Sequence, residues 1–350
     1  MFTAVRRLLF MLPPERAHDL TFGSLDQLYR IGGGRLFPAR VEAPQSLMGL
    51  EFANGVGLSA GLDKNGDHIR SLVGLGFGFI ELGTVTPVGQ PGNPAPRVFR
   101  LPAYQALINR LGFNNEGLAA LTRHLQDAAP QVDVPIGVNI GKNRDTPLER
   151  AADDYLACLE AVHGLADYVV VNLSSPNTPG LRSLQAGDNL NGLVRLLRER
   201  ADALDAANGR RVPLVVKIAP DLDDDALRWL VDTLLAAGVD GVTATNTTID
   251  HTAVAGARHA AETGGLSGAP LRERATEVIA TVRAHAGPEL PIIGVGGIMS
   301  GEDAVEKIQA GANLVQLYTG LIYRGPALIR EAAEAIRDSD LSAQGLALGR

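Results

Sequence analysis

Eight short apolar runs separated by amphipathic stretches constrain this chain more than any other feature. The runs fall at residues 56–60, 79–84, 136–140, 168–173, 214–218, 241–245, 292–295 and 314–318. Continuous apolar runs of this length, without polar alternation, are what parallel strands covered on both faces require. Helical periodicity lies between them, for example at 223–237, 271–285 and 300–310. Helix starts are signalled as well. Asp221 or Asp223 precedes an acidic first turn, and Ser300 is followed three residues on by Asp303. Eight strands joined by crossovers predict a closed parallel (β/α)8 TIM barrel, and 350 residues suit such a barrel with insertions. An open doubly wound sheet is the alternative. It is disfavoured because no Gly-x-Gly-x-x-Gly follows the first strand.

Composition supports a large core and narrows the partners. The chain is 45% hydrophobic with a mean hydropathy of +0.06. Its 40 glycines and 20 prolines are dispersed, as many tight strand–helix connections demand. A net charge of −7 without a long basic run argues against nucleic acid as a partner. The single cysteine, Cys158, cannot form an intrachain disulfide and reads as a small buried residue of a helix. The seven histidines show no ligand spacing, so no metal site is expected.

Barrel enzymes carry their chemistry on the loops after the strands, and here those loops are polar. The sharpest is 172–180, which follows the fourth strand: Asn172, Ser174, Ser175, Asn177 and Thr178, stiffened by Pro176 and Pro179. An ordinary Ser/Asn/Pro turn capping the next helix is the plain alternative for this stretch taken alone. The first strand runs into Ala60, Gly61, Leu62, Asp63 and Lys64, the second ends at Thr84, and the third carries Asn139. The sixth gives Thr245, Asn246 and Thr247, followed by a Gly-rich loop at 263–268. Glycines 294, 296 and 297 after the seventh strand, with Tyr318, Thr319 and Gly320 after the eighth, can cradle a phosphate with backbone N–H groups. A tight turn explains the seventh-strand glycines equally well. Lys217 ends an otherwise apolar fifth strand. An unpaired buried ammonium is costly, so it either reaches the barrel rim or sits beside a group that becomes anionic.

Residues 60–64, 81–87, 109–115, 139–146, 172–180, 217–221, 244–248, 263–270 and 293–298 together resemble the dihydroorotate dehydrogenase family, over a span reaching about residue 336. Ser175, where class 1 members carry cysteine, and the N-terminal extension resemble the membrane-associated, quinone-reducing class 2. The resemblance implies oxidation of (S)-dihydroorotate to orotate in pyrimidine (UMP) synthesis, with FMN as hydride acceptor and a membrane quinone as final acceptor. It implies Ser175 as the catalytic base, helped by Thr178 and water. It implies a substrate site made by Lys64, Asn109, Arg110, Leu111, Gly112, Phe113, Asn172, Asn177, Asn246 and Thr247. For FMN it implies Ala60, Gly61, Leu62, Asp63, Lys64, Thr84, Asn139, Asn172, Lys217, Thr245, Gly268, Gly297, Tyr318 and Thr319, with Lys217 stabilising negative charge on the reduced ring.

Residues 1–40 stand apart from the expected catalytic domain at 41–350. They hold six arginines against three acids, which leaves the remainder at −10. Phe2, Val5, Leu9 and Leu12 recur at helical spacing beside Arg6 and Arg7; Pro13 and Pro14 break this helix, and a second is expected at 15–31, ended by glycines 32–34. No apolar run approaches the ~20 residues that span a bilayer. The short apolar core after Arg7 and the lack of a small-residue cleavage site do not suit a signal peptide. Two short basic amphipathic helices suit peripheral attachment to the cytoplasmic side of a membrane, and the resemblance implies that they form the quinone tunnel, with His18 a candidate lining residue. A helical cap on the barrel is the plain alternative. A barrel that only binds FMN or a sugar phosphate would have no need of Ser175, Lys217 and the asparagines together. A soluble class 1 enzyme conflicts with Ser175 and the extension.

Overall fold

A computed structural model describes residues 2–185 and 187–339; Met1 and the end of the expected catalytic domain, 340–350, lie outside the described residues. Eight parallel strands close into a barrel. They are β1 (Val56–Leu58), β2 (Phe79–Val85), β3 (Ile136–Ile140), β4 (Tyr168–Asn172), β5 (Leu214–Ile218), β6 (Gly241–Ala244), β7 (Ile292–Val295) and β8 (Leu314–Leu317). They pair in chain order, and β8 closes on β1 with Val315 opposite Val56. Every expected strand is present. The ends of β1, β4, β6 and β8 fall one or two residues early, and just beyond them Ser59, Ala60, Thr245 and Tyr318 line the cavity.

The barrel is filled, and glycines make the room. An added Cβ at Gly57 would lie 2.3 Å from the Phe79 ring, and one at Gly137 would lie 2.1 Å from the Tyr168 ring. Phe79, Tyr168, Val170, Val215, Ile293 and Leu314 pack inside with Phe52. Phe52 belongs to a hairpin, Gln45–Leu47 with Leu50–Phe52, whose Leu47, Met48 and Leu50 pack against this cluster. Buried apolar area of this kind stabilises at about 25 cal/mol per Å². The hairpin packs at the N-terminal end of the strands, opposite the end where the cavity lies.

Helices cover the outside. Ser300 caps its helix by accepting from Asp303 N–H, and Asp223, not Asp221, caps the helix Asp224–Ala236. Asp221 instead binds Thr248 and Arg182. One expectation is overturned. The Gly-rich stretch 263–268 is not wholly a loop: Gly265–Gly268 is a strand, paired antiparallel to Ala106–Asn109, which pairs in turn with Val98–Leu101.

The N-terminal pair is helical as expected: α1 (Phe2–Leu9) and α2 (Pro14–Arg30), with Pro14 in the first turn, where its missing N–H costs nothing. Gly32 follows at φ +81°. The pair is tied to the cavity end of the barrel. Arg97 grips Glu15 of α2 with N···O distances of 2.7 and 3.0 Å, Arg100 donates to Leu12 O at 2.8 Å, and Phe10 packs edge-on to Tyr323. Among the described residues no helix is long and apolar enough to cross a membrane.

Candidate active site

The C-terminal strand ends enclose a cavity open on one side, with about 950 Å³ of space between its walls when the solvent at its mouth is included. Its amide groups are wired to one another. Asn139 Oδ1 accepts from Thr84 Oγ1 at 2.5 Å and from Asn172 Nδ2 at 3.1 Å. Asn172 Nδ2 also donates to Thr84 Oγ1 at 3.0 Å. Its Oδ1 accepts from Ser174 N at 3.3 Å and from Asn246 Nδ2 at 3.3 Å. Three asparagines from β3, β4 and the loop after β6 are thereby held in one orientation. Low dielectric strengthens such a network when every member is satisfied.

Ser175 is buried at 6% exposure yet lines the cavity. Its Oγ accepts from Asn177 N–H at 3.3 Å, and Asn177 Nδ2 donates to Asn109 Oδ1 at 3.2 Å. Thr178 is buried on the same loop, and no hydrogen bond joins its hydroxyl to Ser175. Arg182 buttresses the loop from behind by donating to Ser174 O at 2.9 Å, to Thr247 O at 2.7 Å and to Asp221 at 2.6 Å.

Two cations face the cavity. Lys217 is 5% exposed and donates to Ser59 Oγ at 3.3 Å. Burial lowers its pKa from the ordinary lysine value, and Glu81 opposes that shift. Lys64 stands beside Gly61 in the wall. Burial, then the nearby Arg97, lower it to about 8, against the pull of Glu15 and Asp63. Tyr318 is pushed up to about 12 by burial and stays a neutral phenol.

One end of the cavity is backbone. An added Cβ at Gly268, Gly297 or Gly320 would lie 2.1 to 2.4 Å from main-chain atoms behind it, so only glycine lets the chain run flush there. Ser267 and Thr319 share a hydroxyl–hydroxyl bond of 2.8 Å beside them. Fixed amides suit a planar heterocycle of alternating carbonyls and N–H groups. An ammonium in the floor suits charge on that ring, and flush glycines with hydroxyls suit a phosphate tail. The donor set therefore fits FMN.

Most of the expected residues converge here. Ala60, Gly61, Lys64, Thr84, Asn109, Leu111, Gly112 and Phe113 line the cavity. So do Asn172, Ser175, Asn177, Lys217, Thr245, Asn246, Thr247, Gly268, Gly297, Tyr318 and Thr319. Four expected residues do not. Asn139 lies one tier below, bonded to Thr84 and Asn172. Asp63 turns away to accept from Gly66, Asp67 and His68 N–H groups, which fixes the loop carrying Lys64. Leu62 is buried in the core. Arg110 points outward to Glu262, Thr263 O and Pro96 O, over the Phe99 ring. Ser59, Ser267, Gln316 and Arg182 were not expected as site residues. Ser59 lies inside the first expected strand and Ser267 inside the expected Gly-rich loop, whereas Arg182 has no local signal beyond its position after Gly180.

His18 of α2 packs edge-on to Phe22, which stacks on His68. Burial, with Lys64 and His68 adding repulsion, lowers His18 to about 4, so its ring is neutral near pH 7.

A closed parallel barrel with an amide-wired, lysine-floored and glycine-ended cavity defines a barrel oxidoreductase of the flavin type. Comparison with known proteins narrows this. The dihydroorotate dehydrogenase family model matches residues 43–339. The chain is 56% identical over 338 residues to the dihydroorotate dehydrogenase (quinone) of Marinobacter nauticus, covering 96% of this chain and 99% of that one. It is 55% identical over 337 residues to the protein of the same name from Azotobacter vinelandii, covering 96% of each. The ligand-free crystal structure of DHODH from Eimeria tenella superposes with a TM-score of 0.84 at 38% identity, over 92% of this chain and 94% of that one. The chain belongs to the dihydroorotate dehydrogenase family, whose quinone-dependent members use FMN.

Proposed function

We propose that this cavity oxidises (S)-dihydroorotate to orotate and that electrons then leave to a membrane quinone. The observation that carries the reading is the convergence of the Ser175 hydroxyl, the Lys217 ammonium and four asparagines on one cavity. Asn109, Asn172, Asn177 and Asn246 offer donors and acceptors to the planar, amide-rich substrate, and Thr247 adds a hydroxyl. Ser175 Oγ takes the proton from the carbon next to the carboxamide carbonyl. FMN, when bound, accepts the hydride that leaves the neighbouring carbon. Lys64 would meet the substrate carboxylate, and Lys217 would offset negative charge on the flavin ring when it is bound.

The two helices of 1–40 form the second functional unit, beside the catalytic barrel at 41–350. None of the α1 residues is buried, and Val5, Leu8, Met11, Leu12, Leu20 and Ile31 are exposed. Such a surface, with Arg7 exposed beside it, suits peripheral attachment to the cytoplasmic face of a membrane. A quinone entering between α1, α2 and the barrel would pass His18. A purified yellow protein that bleaches anaerobically with dihydroorotate supports the reading; a yellow protein that does not bleach overturns it.

A further inference from the structure

Below the amides described above, the barrel holds one carboxylate. Glu81 of β2 alternates inward with Phe79 and Gly83, and it is fully buried. Both of its oxygens accept from amide N–H groups: Oε1 from Asn139 Nδ2 at 2.8 Å, and Oε2 from Gln316 Nε2 at 2.6 Å. A carboxylate can only accept, so it dictates which way both amides face. Asn139 must turn its oxygen upward, where it receives Thr84 and Asn172. Asn172 must then offer its own oxygen to Ser174 and Asn246. One buried charge therefore sets the direction of an amide chain that ends at the loop carrying Ser175. The same charge acts on Lys217, for which it is the one opposing influence to burial.

We propose that Glu81 is a positioning residue of the cofactor site: it orients Asn139 and Gln316, and as counter-charge to Lys217 it holds down the reduction potential of a flavin bound in the cavity. The sign follows from electrostatics. Lys217 favours the reduced, negatively charged ring, and a carboxylate behind it cancels part of that pull. The inference rests on the flavin reading of the cavity.

The test is the potential of the bound flavin, measured by dye equilibration in the full-length holoenzyme. Glu81→Gln should raise it, with the reduction equilibrium moving roughly tenfold, or about 30 mV for a two-electron couple. Glu81→Asp keeps the charge but withdraws it by one methylene, so it should move the potential the same way by less. A residue that merely filled space would alter flavin content and leave the potential of the retained flavin unmoved. Either variant holding flavin at or below the parent's potential overturns the proposal. One measurement needs no variant. Infrared spectra of parent protein labelled at glutamate carboxyl carbons should show no band of a protonated, buried acid, and such a band would also overturn it. A colourless parent would instead defeat the flavin reading itself, so the two failures are distinct.

Discussion

Lys217 Nζ donates to Ser59 Oγ at 3.3 Å, joining the ends of β5 and β1 on opposite sides of the barrel mouth. The hydroxyl is the ammonium's one hydrogen-bond partner among the described residues. Most of the lysine's donor capacity is thus free to face the cavity.

That geometry sets the first prediction. Lys217→Ala should weaken FMN binding and lower the flavin's reduction potential, shifting the reduction equilibrium by roughly tenfold or more, the scale of one lost charge contact at short range. Spectroelectrochemical titration reads it. A potential equal to the parent's would remove Lys217 from the charge balance of the ring.

The second prediction concerns Ser175. Ser175→Ala should keep the yellow colour and slow anaerobic flavin reduction by roughly 10²–10⁴, the usual worth of a positioned base. In the parent at saturating dihydroorotate the rate should rise with pH, because a hydroxyl must lose its proton. Stopped-flow rates that match the parent's, or a flat profile through the alkaline range, would take the role from Ser175.

How much of this was legible follows from what each residue needs. The strands of a covered parallel barrel are apolar on both faces, so Ile136–Ile140, Leu214–Ile218 and Ile292–Val295 could be read to the residue. Lys217 stood out because a charge inside such a run has to be explained. The antiparallel sheet was illegible: Gly265–Gly268 contains two glycines in four residues and pairs with Ala106–Asn109, more than 150 positions away. Strand pairing at that distance leaves no local periodicity. The hairpin that plugs the barrel failed to register for a similar reason, since three-residue strands are too short to alternate. At the site, residue types predicted contact well and orientation poorly. Asp63 and Arg110 lie within readable motifs, yet their side chains turn to backbone N–H groups and to Glu262.

A third prediction uses Lys64. Burial and Arg97 bring its pKa from 10.5 down to about 8. Below that pH it is an ammonium and attracts the substrate carboxylate; above it the amine is neutral. KM for dihydroorotate should therefore climb as pH rises through about 8, while the limiting rate follows the separate Ser175 profile. In Lys64→Arg the climb should vanish, because a guanidinium stays charged throughout. Steady-state KM against pH in the two proteins decides it, and an inflection kept in the arginine variant would assign it elsewhere.

The last prediction separates the two halves of turnover. Removing residues 1–40 leaves every barrel strand and all the cavity-lining residues in place. Anaerobic dihydroorotate should still bleach the flavin at close to the parent rate. Reoxidation by a lipid-soluble quinone should slow at least tenfold, since the exposed apolar faces of α1 and α2 go with the deletion. Binding to anionic vesicles should fall as well, because six arginines leave with three acids. Lost contacts complicate the variant and have to be controlled. Arg97 loses Glu15, Arg100 loses Leu12 O, His68 and Ser71 lose Asp26, and Tyr323 loses Phe10. Flavin content and thermal unfolding come first, and the Glu15→Gln full-length protein serves as the control for Arg97 alone. A yellow, folded truncation that passes electrons to quinone at the full-length rate would reduce the helices to a structural cap, and the route to quinone would then have to lie elsewhere on the barrel.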